Sequence, residues 1–194
     1  MNLFPKSLTK LIDECKSNDR KAQESLYKHF YAEMLRLCYR YLKTDELAKE
    51  ALNTGFLKVF QNITAFEEIK GEPGAWIRTI MVRTCIDLVR KELKFNIQPI
   101  SAQEEEIFIE PTVLSKLYAE DLIKSIRKLP DATQLVFNLS VLDGYSHKEI
   151  GDKLNISEST SRWHLSEAKK QLRILLTPPN KHIDLPTENN NKTT

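Results

Sequence analysis

Apolar side chains recur at three- and four-residue steps in a series of segments, and each such segment predicts a helix. Leu8, Leu11, Ile12 and Cys15 form a short first stripe. It breaks at Asn18-Asp19, where Asp19 suits the cap of the next helix. That helix runs from about Arg20 to Tyr41, with Ala22, Leu26, Phe30, Leu37, Cys38 and Tyr41 on one face and Tyr27 and Met34 beside it. Thr44 caps a third, in which Ala48, Ala51, Leu52, Gly55, Phe56, Val59 and Phe60 keep the clearest amphipathic pattern in the chain. Gly55 costs that helix about 1 kcal/mol relative to alanine, and a small residue there would let another helix approach closely.

Ile63 to Gly74 reads as a loop. Pro73 suits a first helical position because its missing N–H would be unpaired there anyway. A fourth helix follows to about Lys94, with Trp76, Ile77, Ile80, Met81, Thr84 and Leu88 inward. Arg83, Asp87, Arg90, Lys91 and Lys94 gather on its other side, and Asp87 is spaced to pair with Arg83 and Lys91. Phe95 to Leu117, with two prolines and the Glu104–Glu106 run, predicts an irregular linker whose isoleucines and Phe108 would dock onto something. Tyr118 to Leu129 is expected to be a helix stopped by Pro130, and Asp131 starts another over Ala132 to Leu142, ended by Asp143-Gly144.

Ser146 to Arg173 reads as two helices joined by a tight turn. Ser146 and Glu149 have capping-box spacing, Ile150 and Leu154 make a short apolar face, and Asn155 sits where a left-handed residue ends a helix. Ile156 plugs the turn and Ser157 caps the second helix. Its inner face is expected at Ser161, Leu165, Ala168, Leu172 and Leu175. Ser159, Arg162, Trp163, Ser166, Lys169 and Arg173 would face out. Short polar groups and an arginine at the start of such a helix, with cations further along, fit base-edge contacts backed by phosphate contacts. A plain helical hairpin with a solvated outer face fits the same spacing.

Composition agrees with an all-α chain: 194 residues, only 5 glycines and 8% aromatics. The net charge of +2 proves no nucleic-acid partner, but its distribution is uneven. Residues 1–95 carry 17 Lys and Arg against 13 Asp and Glu, residues 96–120 carry 1 against 5, and residues 121–176 carry 9 against 7. Two mildly basic blocks thus flank an acidic connector. Cys15, Cys38 and Cys85 lie in apolar stripes without CxxC spacing and read as reduced core residues, with no metal site. Met1 to Lys10 lacks a signal-peptide core, and no apolar run approaches the roughly 20 residues of a membrane span. A cytoplasmic location without membrane insertion is therefore expected. Asn180 to Thr194 reads as a disordered tail. No paired carboxylates, metal spacing or glycine-rich phosphate loop supports an enzyme, a catalytic residue or a cofactor.

Two helical blocks, a linker and a C-terminal helix pair resemble the bacterial RNA polymerase sigma factors, in particular the extracytoplasmic-function (ECF) group. In the C-terminal block the resemblance rests on Leu129-Pro130, Val136-Phe137, Leu142 to Ser146, Lys148-Glu149-Ile150, Ile156-Ser157, Thr160 and Ala168. In the N-terminal block it rests on Ala48, Phe56 to Phe60, Phe66, Trp76-Ile77, Ile86-Asp87 and Arg90-Lys91. It covers about Asp19 to Leu176. It implies sigma domain two over 1–95, an acidic linker over 96–120, sigma domain four with a helix-turn-helix over 121–176, and a disordered tail over 177–194.

The resemblance implies a protein that binds core RNA polymerase and directs promoter-specific initiation. Glu50, Asn53, Thr54 and Leu57 would contact the clamp of the beta-prime subunit. Phe66, Arg83, Asp87, Arg90, Lys91 and Lys94 would hold the minus-ten element as single strand, Phe66 as a base platform or alternatively as a core plug; Trp76 fits core better than a stacking platform. Ser157, Ser159, Thr160, Arg162, Trp163, Ser166 and Lys169 would read the minus-thirty-five duplex, with His147 and Lys148 on phosphate. His164 reads as a surface histidine near the buried edge. Domain four would sit on the beta flap, the linker would thread toward the RNA exit path, and an anti-sigma factor would cover both domains. The chain departs from the family at Glu50, Asn53 and Thr54, at Arg83 where asparagine is usual, and at Ser161 where valine is usual and serine would loosen the packing. Two other readings fit the residues: an autonomous helix-turn-helix regulator, and a sigma-like adaptor held by an anti-sigma protein.

Overall fold

The computed structural model describes residues 8–93 and 119–176. Among these, every regular element is helical. The N-terminal unit comprises α1 (Leu8–Lys16), α2 (Arg20–Tyr41), α3 (Asp45–Gln61) and α4 (Pro73–Leu93). The C-terminal unit comprises α5 (Ala119–Ile126), α6 (Asp131–Phe137), α7 (His147–Leu154) and α8 (Glu158–Leu176). The linker expected before α5, Lys94 and the tail lie outside the described residues. No described helix is long and apolar enough to cross a membrane.

The expected caps form. The Asp19 carboxylate accepts the Lys21 and Ala22 N–H groups at 2.7 and 3.1 Å, and the Thr44 hydroxyl accepts that of Leu47 at 3.2 Å. Gly55 does admit a neighbour: a Cβ there would stand 2.4 Å from the Met81 sulfur, so α3 and α4 touch through this gap. The three cysteines are free and buried, with the Cys38 and Cys85 sulfurs 3.8 Å apart. Burial, with Asp19 and Glu14 nearby, pushes the Cys15 thiol up to about 11, which keeps it protonated and unreactive.

Several local expectations change. The loop after α3 contains two 3₁₀ turns, Ile63–Ala65 and Glu68–Lys70, and Gly74 already belongs to α4. On α4, Val82, Cys85, Ile86 and Val89 are buried beyond the expected stripe. The apolar cluster that α4 joins continues into Leu135, Val136, Leu139, Ile150 and Leu154 of the C-terminal unit. Asp87 pairs across to Lys58 of α3 at 3.4 Å rather than along its own helix. The helix expected to run regularly to Leu142 widens after Phe137 into a π turn over Asn138–Leu142. A second cluster of Ile126, Leu129, Phe137, Ala168 and Leu172 closes the C-terminal unit.

Candidate nucleic-acid interface

Local chemistry builds the turn between α7 and α8. The Ser146 hydroxyl oxygen accepts the Glu149 N–H at 3.3 Å, while the Glu149 carboxylate accepts the Ser146 N–H and hydroxyl at 2.9 and 2.8 Å. The backbone bond first, then the hydroxyl, hold the Glu149 carboxyl below its ordinary range. Asn155 ends α7 at φ 57°, ψ 50°, a left-handed conformation that asparagine tolerates. The Ile156 N–H then bonds the Gly151 carbonyl at 3.1 Å. A Cβ on Gly151 would lie 2.8 Å from the Ile156 carbonyl oxygen, so the missing side chain lets the turn close this tightly. The Ser157 hydroxyl accepts the Thr160 N–H at 3.0 Å and starts α8.

Along α8, Ser159, Arg162 and Arg173 are exposed, and Trp163, Ser166 and Lys169 are half-buried. Arg162 rests on Glu158 at 3.2 Å, one turn back. Lys148 is exposed on α7. Thr160 does not belong to this outer face: it is 4% exposed and its hydroxyl bonds Ser157 at 2.8 Å. The buried stripe is rotated from the expected one, because Thr160 and His164 pack inward while Leu175 is 41% exposed. Ser161 does not loosen the packing. It is fully buried and its hydroxyl meets the His147 Nδ1 at 2.9 Å, which ties α7 to α8. His147 thus engages α8 through Nδ1 while staying half-buried beside the exposed Lys148.

His164 is buried rather than at the surface, with Nδ1 3.1 Å from the Thr133 hydroxyl and Nε2 without a partner among the described residues. Burial lowers its pKa, with Glu167 opposing more weakly. A histidine depressed in the folded state binds its proton first in the unfolded chain. Stability is therefore full above about pH 6.5 and falls as pH drops below the unfolded value. Thermal melts should show this decline below about pH 6.5 in the native chain and a flatter profile in His164→Gln; parallel profiles would refute the assignment.

On α4, Arg83, Asp87, Arg90 and Lys91 are exposed together. Arg83 and Lys91 make no ion pair among the described residues, whereas Arg90 Nη2 donates to the Lys153 carbonyl of α7 at 2.5 Å. Beside them a cleft of about 380 Å³ is lined by Phe66, Glu67, Glu72, Trp76 and Arg83. Phe66 is 6% exposed and packs 5.4 Å from the Trp76 ring, so it is a core plug that also forms one wall of the cleft, not a free platform. On α3, Glu50, Asn53 and Leu57 are exposed and Thr54 is half-buried, with Leu57 at 56%. The Tyr27 hydroxyl donates to Asn53 Oδ1 at 3.3 Å.

Arg40, Arg78 and Asp143 meet where the two units touch. In the sequence Asp143 is a helix stop within the Leu142 to Ser146 motif, and nothing there points to its partners 65 and 103 residues away, beyond the reach of any local pattern.

The chain matches the model of Sigma-70 region 2 over residues 26–94 and that of Sigma-70 region 4 over residues 119–172, between them more than half of the chain. It is 25% identical to the ECF RNA polymerase sigma factor SigW of Bacillus subtilis, over 86% of this chain and 95% of that protein. It is 27% identical to the RNA polymerase sigma factor YlaC of the same organism, over 79% of this chain and 91% of that protein. Among solved structures it is similar to CnrH in complex with the cytosolic domain of CnrY, with 16% identity, a TM-score of 0.48, and coverage of 86% of this chain and 94% of that one. Two sigma-70 regions in order, on an all-helical scaffold and with full-length ECF relatives, place the chain in the extracytoplasmic-function group of the RNA polymerase sigma factors, the initiation factors that direct polymerase to promoters.

Proposed function

We propose that the N-terminal unit binds core polymerase and captures the opened minus-ten strand, while the C-terminal unit reads the minus-thirty-five duplex. The observation that carries this reading is the juxtaposition on α4 of exposed Arg83, Arg90 and Lys91 with the aromatic-walled cleft at Phe66 and Trp76. Cations of this kind neutralise phosphates, and a cleft of this size accepts an unstacked base. The exposed ridge of Glu50, Asn53 and Leu57 on α3 is the surface offered to the beta-prime clamp. Domain four would rest on the beta flap. An anti-sigma protein would act by covering these same faces.

Run-off transcription on pooled genomic fragments, with purified core polymerase and with or without this chain, tests the reading. Discrete new transcripts support it. Duplex binding at a palindromic site by the chain alone, with no new transcripts, would instead indicate an autonomous regulator. At the promoter so found, Arg162→Ala should lower initiation about tenfold to a hundredfold and relax one position of the minus-thirty-five element. A uniform loss across all sequences would demote Arg162 to a phosphate contact.

A further inference from the structure

One carboxylate of the C-terminal unit meets two guanidinium groups and a phenol of the N-terminal unit. The Asp143 side chain is 3% exposed. Its Oδ1 lies 3.0 Å from Arg40 Nη2 and 2.6 Å from Arg78 Nη2, and its Oδ2 accepts the Tyr41 hydroxyl. The π turn over Asn138–Leu142 delivers it there. The Asp143 N–H reaches back to the Asn138 carbonyl at 3.0 Å, and Gly144 leaves the turn at φ +76°.

The contacts around this centre are also between units. Gln134 and Asn138 amides donate to the Arg40 carbonyl at 2.6 and 2.8 Å. Arg127 Nε donates to the Leu42 carbonyl at 3.0 Å, and Lys43 Nζ to that of Arg127 at 2.8 Å. The Arg40 carbonyl in the last turn of α2 and the Leu42 carbonyl just beyond it, which the helix leaves without internal partners, are thus satisfied by the other unit. Arg90, one of the cations assigned to promoter DNA, is held by the Lys153 carbonyl in the same arrangement.

This closed arrangement is incompatible with reading two promoter elements at once. Elements about 25 base pairs apart are separated by roughly 85 Å of duplex at about 3.4 Å per pair. Two packed units of this size span roughly 40 Å. The units must therefore part. We propose that Asp143, with Arg40, Arg78 and Tyr41, is a latch that holds the free chain closed and releases when the chain engages core polymerase. The geometry of the latch stands on its own, while its consequence for initiation rests on the function proposed above. Polymerase opens the chain because it contacts the separated units better than the packed ones, and only that difference in affinity can shift the equilibrium.

The test is single-molecule energy transfer on the full chain, with dyes at Gln61→Cys and Lys170→Cys. Both sites are exposed, and the native thiols are buried and unreactive. The free chain should give one high-transfer population, which core polymerase converts to low transfer. Asp143→Asn keeps shape but takes from Arg40 and Arg78 the buried carboxylate between them, leaving Arg78 only its 3.4 Å pair with the exposed Glu33. It should shift the closed-to-open ratio about a hundredfold and quicken association with core polymerase. Arg78→Gln, at a side chain 36% exposed, should shift it in the same direction if Asp143→Asn proves unable to fold. A free chain already at low transfer, or variants that leave the distribution unchanged, would overturn the latch. Opening without faster association would overturn its gating role. If no variant gives promoter-specific transcripts while the transfer shifts appear, the latch is supported and the promoter reading is what fails.

Discussion

Replacing Arg83 and Lys91 together by alanine is expected to cut promoter opening more than tenfold while changing core-polymerase affinity less than twofold. Both side chains are exposed on α4, on the face beside the Phe66–Trp76 cleft. Neither makes an ion pair among the described residues, so their removal leaves no buried charge behind and the helix should remain folded. Each lost single-strand phosphate contact should lower the slope of log affinity against log salt by about 0.7. The double variant should therefore also be less salt-sensitive, and permanganate footprinting of the opened strand at two ionic strengths reads both effects. Equal losses in core binding and in opening would mean that this face belongs to the polymerase contact. Arg90 is the poorer choice for this test, because its bond to the Lys153 carbonyl would mix DNA contact with closure of the chain.

The converse result is expected on α3. Leu57→Asp should weaken core binding about thirtyfold or more, as for a central interface residue, while the melting temperature stays within a few degrees of the parent. Leu57 is 56% exposed in a helix whose inner face is filled by Ala51, Leu52, Phe56 and Val59, so its side chain contributes little to the core. A large exposed leucine beside Glu50, Asn53 and Thr54 is a feature that a binding partner would cover. Fluorescence anisotropy of labelled chain against core polymerase measures the loss directly. An unchanged affinity would move the clamp contact to another face. Together the two variants separate the steps: one should bind and fail to open, the other should open little because it seldom binds.

Much of the helical framework was legible in the sequence because its signals are local. Asp19, Thr44, Ser146 and Ser157 each satisfy orphan N–H groups within three residues, and Asn155 supplies a left-handed end, so chain order alone locates them. Gly55 announced a close helix contact, and Met81 fills it. The outer face of α8 was legible at Ser159 and Arg162. It was misjudged at Thr160, because one residue of rotation separates the two faces of a short amphipathic helix and the buried hydroxyl bonds Ser157. The part played by Ser161 was hidden for a related reason. A serine that looks loose by itself becomes a tie when a histidine from the preceding helix meets it at 2.9 Å.

The sequence by itself determined that the described residues are helical, where the capped helices begin, and which faces carry cations, since each depends on residues within about one turn of one another. Only the tertiary structure decided that Phe66 plugs the core while walling the cleft, that Asp87 serves Lys58, and that His164 is buried with one nitrogen unpartnered among the described residues. It alone brought Asp143 to Arg40, Arg78 and Tyr41. The reason is physical: an ion pair forms wherever folding removes two groups from water side by side, and separation along the chain leaves no periodicity to announce it.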